Sequence, residues 1–220
     1  VFVQRTDNDA YLNVSIDGAE PTRIKVPVGS SSVRIVENLE KGSHTVRVTS
    51  ATSPSFGTWT VTGIGFAGTL DCYPSDDGKL RMLAIGDSIT AGYGVYGKNG
   101  DSTDTANKIE MSDAYASYAS VAARELGAEL DLVAKEAAPI SEVHSIVNAL
   151  DMRAGSPAWE WAAHKNDVIV INLGTNDEWI NGKTPETALA DAKALLDDMR
   201  AKNPDAEIIW VYGMMRKDYE

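Results

Sequence analysis

Leu80-Arg81-Met82-Leu83-Ala84-Ile85-Gly86-Asp87-Ser88-Ile89-Thr90 is the stretch that decides the fold. The apolar run from Leu80 to Ile85 reads as a buried strand, and it stops at Gly-Asp-Ser. Ser88 is therefore expected at the carboxyl edge of a sheet, where open α/β sheets bind ligands. Its backbone N–H, at the start of the next helix, can face a developing oxyanion. The glycine-rich Ala91-Gly92-Tyr93-Gly94 follows. A second apolar run, Val168-Ile169-Val170-Ile171-Asn172-Leu173, stops in the same way at Gly174-Thr175-Asn176-Asp177.

Strand-like runs fall at 80–85, 129–134, 167–173 and 207–213, with amphipathic segments between them. Tyr115, Tyr118, Ala119, Ala122 and Leu126 form one helical stripe, closed by Gly127. A later helix is expected with Thr184 as N-cap and Pro185 at its first position. Its stripe is Leu189, Ala192, Leu195, Leu196 and Met199, and Pro204 lies past its end. Strands alternating with helices imply the α/β class, a parallel sheet flanked by helices. The polar stretch 97–108 reads as a loop above the site.

The first seventy residues follow a period of two instead. Leu12, Val14 and Ile16 alternate with Asn13, Ser15 and Asp17, and Asp17-Gly18 signals a turn. Ile24, Val26 and Val28 alternate again, with Pro27 pointing to an edge position. Val33 with Ile35, Val46 with Val48, Trp59 with Val61 and Ile64 with Phe66 repeat the pattern, which suggests a small all-β sandwich. The polar stretch 71–79 reads as a linker. The expected organisation is thus a β domain over 1–70, a linker over 71–79 and an α/β domain over 80–220. There is no internal repeat.

With 220 residues the chain has room for one large domain or two small ones. A net charge of −12 and the want of clustered Lys and Arg speak against nucleic acid and anionic membrane as partners. No apolar run approaches the length of a membrane span. The single cysteine, Cys72, excludes an intramolecular disulfide and a cysteine-cluster metal site. No metal-ligand spacing and no P-loop glycine pattern occurs, so neither metal nor cofactor is expected.

Gly86-Asp87-Ser88 and Gly174-Thr175-Asn176-Asp177 together resemble the SGNH (GDSL-type) serine hydrolases. That resemblance implies Ser88 as nucleophile and Asn176 as oxyanion donor. Gly42-Ser43-His44-Thr45-Val46-Arg47-Val48, the stretch from Trp59 to Gly68, Gly86 to Thr90 and Gly92-Tyr93-Gly94 are similar to carbohydrate esterase family two. Members of that family join a small, jelly-roll-like β-sandwich to an SGNH domain and deacetylate plant polysaccharides. The implied protein is a secreted, extracellular serine acetylesterase acting on acetylated xylan or mannan through an acyl-enzyme. Two alternatives stay open: a short-chain thioesterase or lipid esterase, and a carbohydrate-binding protein that keeps the cleft without the chemistry.

Each residue also has a plainer reading. A serine hydroxyl needs a base to attack, and the plainer role of a serine at the position of Ser88 is to cap a helix. Asn176 would donate its amide, worth about 3 kcal/mol in the transition state, or form an Asx-turn. Asp87 is expected to shape its turn and Asp177 to brace its loop. SGNH enzymes complete the oxyanion hole with a backbone N–H from a glycine-containing block after the second strand. Here Lys135-Glu136-Ala137-Ala138-Pro139-Ile140 stands at that place. Ala138 is the candidate donor, or Ala137; Pro139 has no N–H, and alanine resists a positive φ. Trp179 and Tyr93 flank the two motifs and are candidates for stacking on a sugar ring, whereas Trp159 and Trp161 read as loop packing.

The base is the gap. The family's histidine lies in an Asp-x-x-His block, and this sequence contains none. His44 falls in the β domain. His164 precedes the strand that Asn176 follows, and such a strand spans roughly 23 Å. His144 is on the correct side, but off the Val143, Val147 and Leu150 stripe of a helix over 141–150. The catalytic histidine is therefore expected in a segment beyond Glu220, and the β domain is expected to begin upstream of Val1.

Overall fold

A computed structural model describes residues 2–5, 8–29, 32–56, 59–69, 71, 79–98, 105–150, 152 and 155–212. The chain divides into two units. The first is Val1–Asp77 with Tyr93–Tyr115, and the second is Gly78–Gly92 with Ala116–Glu220. Tyr93–Tyr115, assigned to the α/β domain by its position in sequence, groups with the first unit. Most of the expected linker, 72–78 with Cys72, lies outside the described residues.

The first unit holds β1 (Phe2–Arg5), β2 (Ala10–Ile16), β3 (Thr22–Val26), β4 (Val46–Ser50) and β5 (Trp59–Gly63). β1 pairs antiparallel with β5, and β2 pairs antiparallel with both β3 and β4 in the order β3-β2-β4. Asp17 and Gly18 both take positive φ, 53° and 77°, the backbone of the tight hairpin that their sequence signals. β3 is an edge strand and stops at Val26, before Pro27. Ala10, Leu12, Val14 and Val26 form a small core. Two expected strands are not formed: Val33 and Ile35 pack on that core from irregular backbone, and Ile64 and Phe66 are exposed beyond the end of β5.

The opposite face of β2 is covered as well. Asn13, polar and expected to face water, is buried because its amide donates to Asp113 Oδ1 at 2.8 Å. Asp113 follows helix α1 (Thr105–Met111), which forms where a loop is expected; residues 99–104 of that stretch lie outside the described residues. Arg23 donates to the carbonyls of Ile109 at 3.1 Å and Ser112 at 2.8 Å, and to that of Glu110. A cation at a helix C-terminus satisfies carbonyls that have no partner within the helix. Its guanidinium also lies 4.0 Å over the Tyr11 ring.

The second unit is a parallel sheet. β6 (Arg81–Gly86), β7 (Glu129–Ala134), β8 (Val168–Asn172) and β9 (Glu207–Val211) run in the order β7-β6-β8-β9. The helices are α2 (Tyr118–Glu125), α3 (Ile140–Ile146), α4 (Thr175–Trp179) and α5 (Pro185–Lys202). Leu83, Ile85, Ile169 and Ile171 face Val143, Leu195 and Met199, whereas Met82, Ala84 and Val170 face Ala119 and Ala123. Both faces are thus buried, and that is why the strands read as continuous apolar runs.

The helices follow their sequence signals with local shifts. Thr184 caps α5, accepting from Thr187 N at 3.3 Å, and Pro185 occupies the first turn. Leu189, placed in the buried stripe of α5, is 72% exposed. In α2 the buried pair is Ala119 and Ala123, and Leu126 is exposed past the helix end. α3 is shorter than expected, leaving Leu150 exposed outside it.

Candidate active site

Gly86 is the register partner of both Ala134 and Asn172, so β6, β7 and β8 end level. The three segments that continue from them, 87–92, 135–140 and 173–179, hold every candidate for the chemistry except Tyr93. After Gly86 the chain makes one helical turn, with Ala91 N donating to Asp87 O at 3.0 Å and Gly92 N to Ile89 O at 3.2 Å. Gly92, at φ 71°, ends it, so the helix expected after Ser88 is reduced to this turn.

That turn is tightly supported from below. Thr90 is fully buried and its hydroxyl meets Tyr118 Oη at 3.1 Å. A Cβ on Gly86 would lie 1.9 Å from Thr90 Oγ1 and 3.1 Å from the Asn172 carbonyl oxygen, so only glycine fits there. Asp87 Oδ1 accepts from Ile89 N at 3.0 Å. Ser88 is half-buried, and among the described residues neither its hydroxyl nor its N–H has a partner.

The second motif meets the first side chain to side chain. Asn176 is 5% exposed, and its Nδ2 stands 3.3 Å from Asp87 Oδ2 and 3.3 Å from the Ala138 carbonyl oxygen. Gly174, at φ 121°, makes the sharp entry into α4, and a Cβ there would strike the Tyr212 ring at 2.7 Å. Asp177 is buried, with both oxygens 3.2 Å from Ile140 N. It braces the loop at 135–140 as well as its own, and this reach across 37 residues is not visible in local sequence.

The block at 135–140 departs from the expectation. Ala138 N donates to Lys135 O at 3.4 Å, a turn closed by Ala137 at φ 58°. The positive φ that alanine resists is adopted all the same, at about 1–2 kcal/mol. The donor left without a partner among the described residues is the N–H of Ala137, which shifts the candidate from Ala138 to its neighbour.

Burial pushes the Asp87 carboxyl above its ordinary value. The N–H groups of Ile89 and of Asp87 itself pull it back, and the charges of Asp177 and Glu136 push it up further. Asp177 is also raised, first by burial, with the Ile140 N–H and Lys183 acting against the rise.

None of the three histidines is partnered with Ser88. His44 belongs to the first unit and pairs with Asp17 at 2.7 Å. His164 lies against Trp159, ring centroids 4.8 Å apart, before β8 and hence at the other edge of the sheet. His144, half-buried on α3, faces Asp198 Oδ2 at 3.2 Å. Trp161 packs on the core and donates to Asn148 Oδ1 at 3.0 Å. Trp179 ends α4 three residues after Asn176 and is 67% exposed. Tyr93 belongs to the first unit, where its exposed ring stacks on Phe56 at 6.1 Å. Among the described residues no three His, Cys, Asp or Glu side chains form a metal-binding group, and no helix is long and apolar enough to cross a membrane.

The model of the GDSL-like Lipase/Acylhydrolase family matches residues 84–219, which hold both motifs and the level strand ends beneath them. The chain belongs to this family. The N-terminal domain of carbohydrate esterase 2 matches residues 1–74. The GDSL-like chain is 26% identical over 220 residues to the cellulase/esterase CelE of Acetivibrio thermocellus, covering 96% of this chain and 26% of that protein. It is 22% identical over 188 residues to the acetylxylan esterase / glucomannan deacetylase of Cellvibrio japonicus, covering 80% of this chain and 51% of that protein. The chain thus spans about a quarter and about a half of these relatives. A family two carbohydrate esterase from Clostridium thermocellum, solved in complex with cellohexaose, superposes with a TM-score of 0.86 at 25% identity. That match covers all of this chain and 69% of the other.

Proposed function

We propose that this chain acts as a carbohydrate acetylesterase that deacetylates xylan or a mannan-type polysaccharide, with Ser88 as its nucleophile. The observation that carries the reading is the meeting of the two motifs: Asn176 Nδ2 contacts Asp87, the residue beside a Ser88 whose hydroxyl and N–H are both uncommitted among the described residues. Ser88 Oγ attacks the acetyl carbonyl while a base takes its proton, and the acetyl group passes to the serine as the sugar hydroxyl leaves. The Ser88 N–H and the Asn176 amide receive the oxyanion, each such donor being worth about 3 kcal/mol. Among the described residues no side chain is assigned as the base.

The substrate class draws on the relatives: one is named an acetylxylan esterase / glucomannan deacetylase, and a family two structure was solved with cellohexaose. An exposed Trp179 beside Asn176 offers an apolar ring to a sugar face. A polymeric substrate of this kind places the work outside the cell. Replacing Ser88 by Ala in the full-length protein is expected to abolish release of p-nitrophenol from p-nitrophenyl acetate and of acetate from acetylated xylan. Undiminished turnover would remove the reading, and a strong preference for long acyl chains would move it to a lipid esterase.

One observation favours a second reading, a cleft that binds sugar without hydrolysing it. Both hydrogens of the Asn176 amide already face acceptors, Asp87 Oδ2 and Ala138 O, and no histidine is at Ser88. Titration with cello-oligosaccharides beside an esterase assay separates the two, since heat of binding without acetate release supports only the second.

A further inference from the structure

Three hydrogen bonds fasten the segment at 135–140 to α4 and the turn after it. Asn176 Nδ2 reaches Ala138 O at 3.3 Å, Asn181 Nδ2 reaches Ala137 O at 3.5 Å, and Ile140 N donates to Asp177. The last is the most demanding. Ile140 opens α3, so its N–H has no acceptor within the helix. The carboxylate that receives it is 1% exposed and comes from another element.

Lys183 holds that carboxylate in place. Its own N–H donates to Asp177 O at 2.9 Å, and its ammonium lies 3.5 Å from Asp177 Oδ1. The same ammonium reaches Ser141 Oγ and Asp191 Oδ2, both at 2.6 Å. One cation therefore ties the approach to α5, the start of α3 and the acid of the second motif together.

We propose that Asp177, held by Lys183, is a positioning residue for the acetyl-transfer chemistry, keeping the Ala137 backbone N–H at a fixed spacing from the Asn176 amide. The inference rests on the esterase reading above. The two donors come from segments that follow different strands, so no local backbone geometry fixes the distance between them. Asp177 supplies that constraint without touching the substrate. A displacement of about 1 Å in a reacting constellation lowers the rate up to roughly a hundredfold. The loss belongs to kcat, because the donors act on charge that develops only in the transition state.

Steady-state hydrolysis of p-nitrophenyl acetate by the full-length protein tests this, with circular dichroism on every variant. Asp177→Ala and Lys183→Met are each expected to lower kcat roughly 10- to 100-fold while KM stays within a factor of about two. Asp177→Asn keeps one acceptor for the Ile140 N–H and is expected to recover part of the loss, as is Lys183→Arg. A folded Asp177→Ala with wild-type kcat, or a loss confined to KM, overturns the proposal. If Asp177→Ala does not fold, Lys183→Met decides by the same criterion. Ser88→Ala separates the two levels: turnover that survives it removes the esterase reading, whereas Ser88-dependent turnover indifferent to Asp177 and Lys183 removes only the positioning role.

Discussion

Asn176 Nδ2 and Asp87 Oδ2 stand 3.3 Å apart, both buried, although 89 residues separate them in the chain. The contact joins the segment after β6 to the segment after β8, and Gly86 pairing with Asn172 is what brings the two segments level. A parallel sheet with adjacent strand ends turns two distant polar motifs into one constellation.

Asp87 should leave a signature in the pH dependence of stability. Its folded pKa is raised above the ordinary 3.8 by burial, so the folded protein binds its proton more readily than the unfolded chain. The associated stability is present at low pH and is lost as pH rises through the folded pKa. Asp87→Asn removes that loss. Urea denaturation between pH 4 and pH 7 should therefore show the variant gaining on wild type as pH rises; a constant difference would contradict it.

Gly86→Ala places a methyl group 1.9 Å from Thr90 Oγ1 and 2.5 Å from Thr90 Cβ. Thr90 is fully buried, so it has nowhere to move. The expected cost is about 3 kcal/mol in urea unfolding, with activity lost as the Ser88 turn shifts. An unaltered melting curve would show that the turn is not packed as described.

Ala137 carries backbone strain that glycine would relieve. Its φ of 58° costs about 1–2 kcal/mol for an L-residue, and glycine gives back about 0.4–1 kcal/mol through the unfolded chain. Ala137→Gly is thus expected to be neutral or stabilising by about 1 kcal/mol, with activity retained. Ala137→Val should destabilise, since a β-branched side chain tolerates this region least.

Asn203 provides the control at the other end of the sheet. Its Oδ1 accepts from Asn166 N at 2.9 Å just before β8, and the residue is 1% exposed. Asn203→Ala leaves that N–H unsatisfied and should cost about 2 kcal/mol in thermal or urea unfolding. Turnover per folded molecule should not change.

The sheet and its polar edge were legible in the sequence because β6 and β8 are buried on both faces, and continuous apolar runs that stop at Gly-Asp-Ser and Gly-Thr-Asn-Asp mark strand ends. The start of α5 was legible in Thr184 and Pro185, whose local chemistry sets a helix start. What periodicity could not show is pairing at a distance. Asn13 reads as a solvent-facing strand residue until Asp113, 100 residues on, covers it. Arg23 of β3 holding the C-terminal end of α1 is of the same kind. Ala137 was hidden for another reason: the constraint that forces its positive φ lies in the turn closed by Lys135 O, and alanine carries no signal for it. The donor of that block without a partner among the described residues consequently lies one residue before the one the sequence favoured.

In the esterase reading, Ser88 carries the acetyl group in mid-reaction. Rapid acid quenching of the full-length protein during turnover of p-nitrophenyl acetate, followed by peptide mass analysis, reads this out. One added acetyl group on the peptide containing Ser88, absent from Ser88→Ala, is the predicted result. Turnover with no acetylated Ser88, undiminished in the alanine variant, would contradict it.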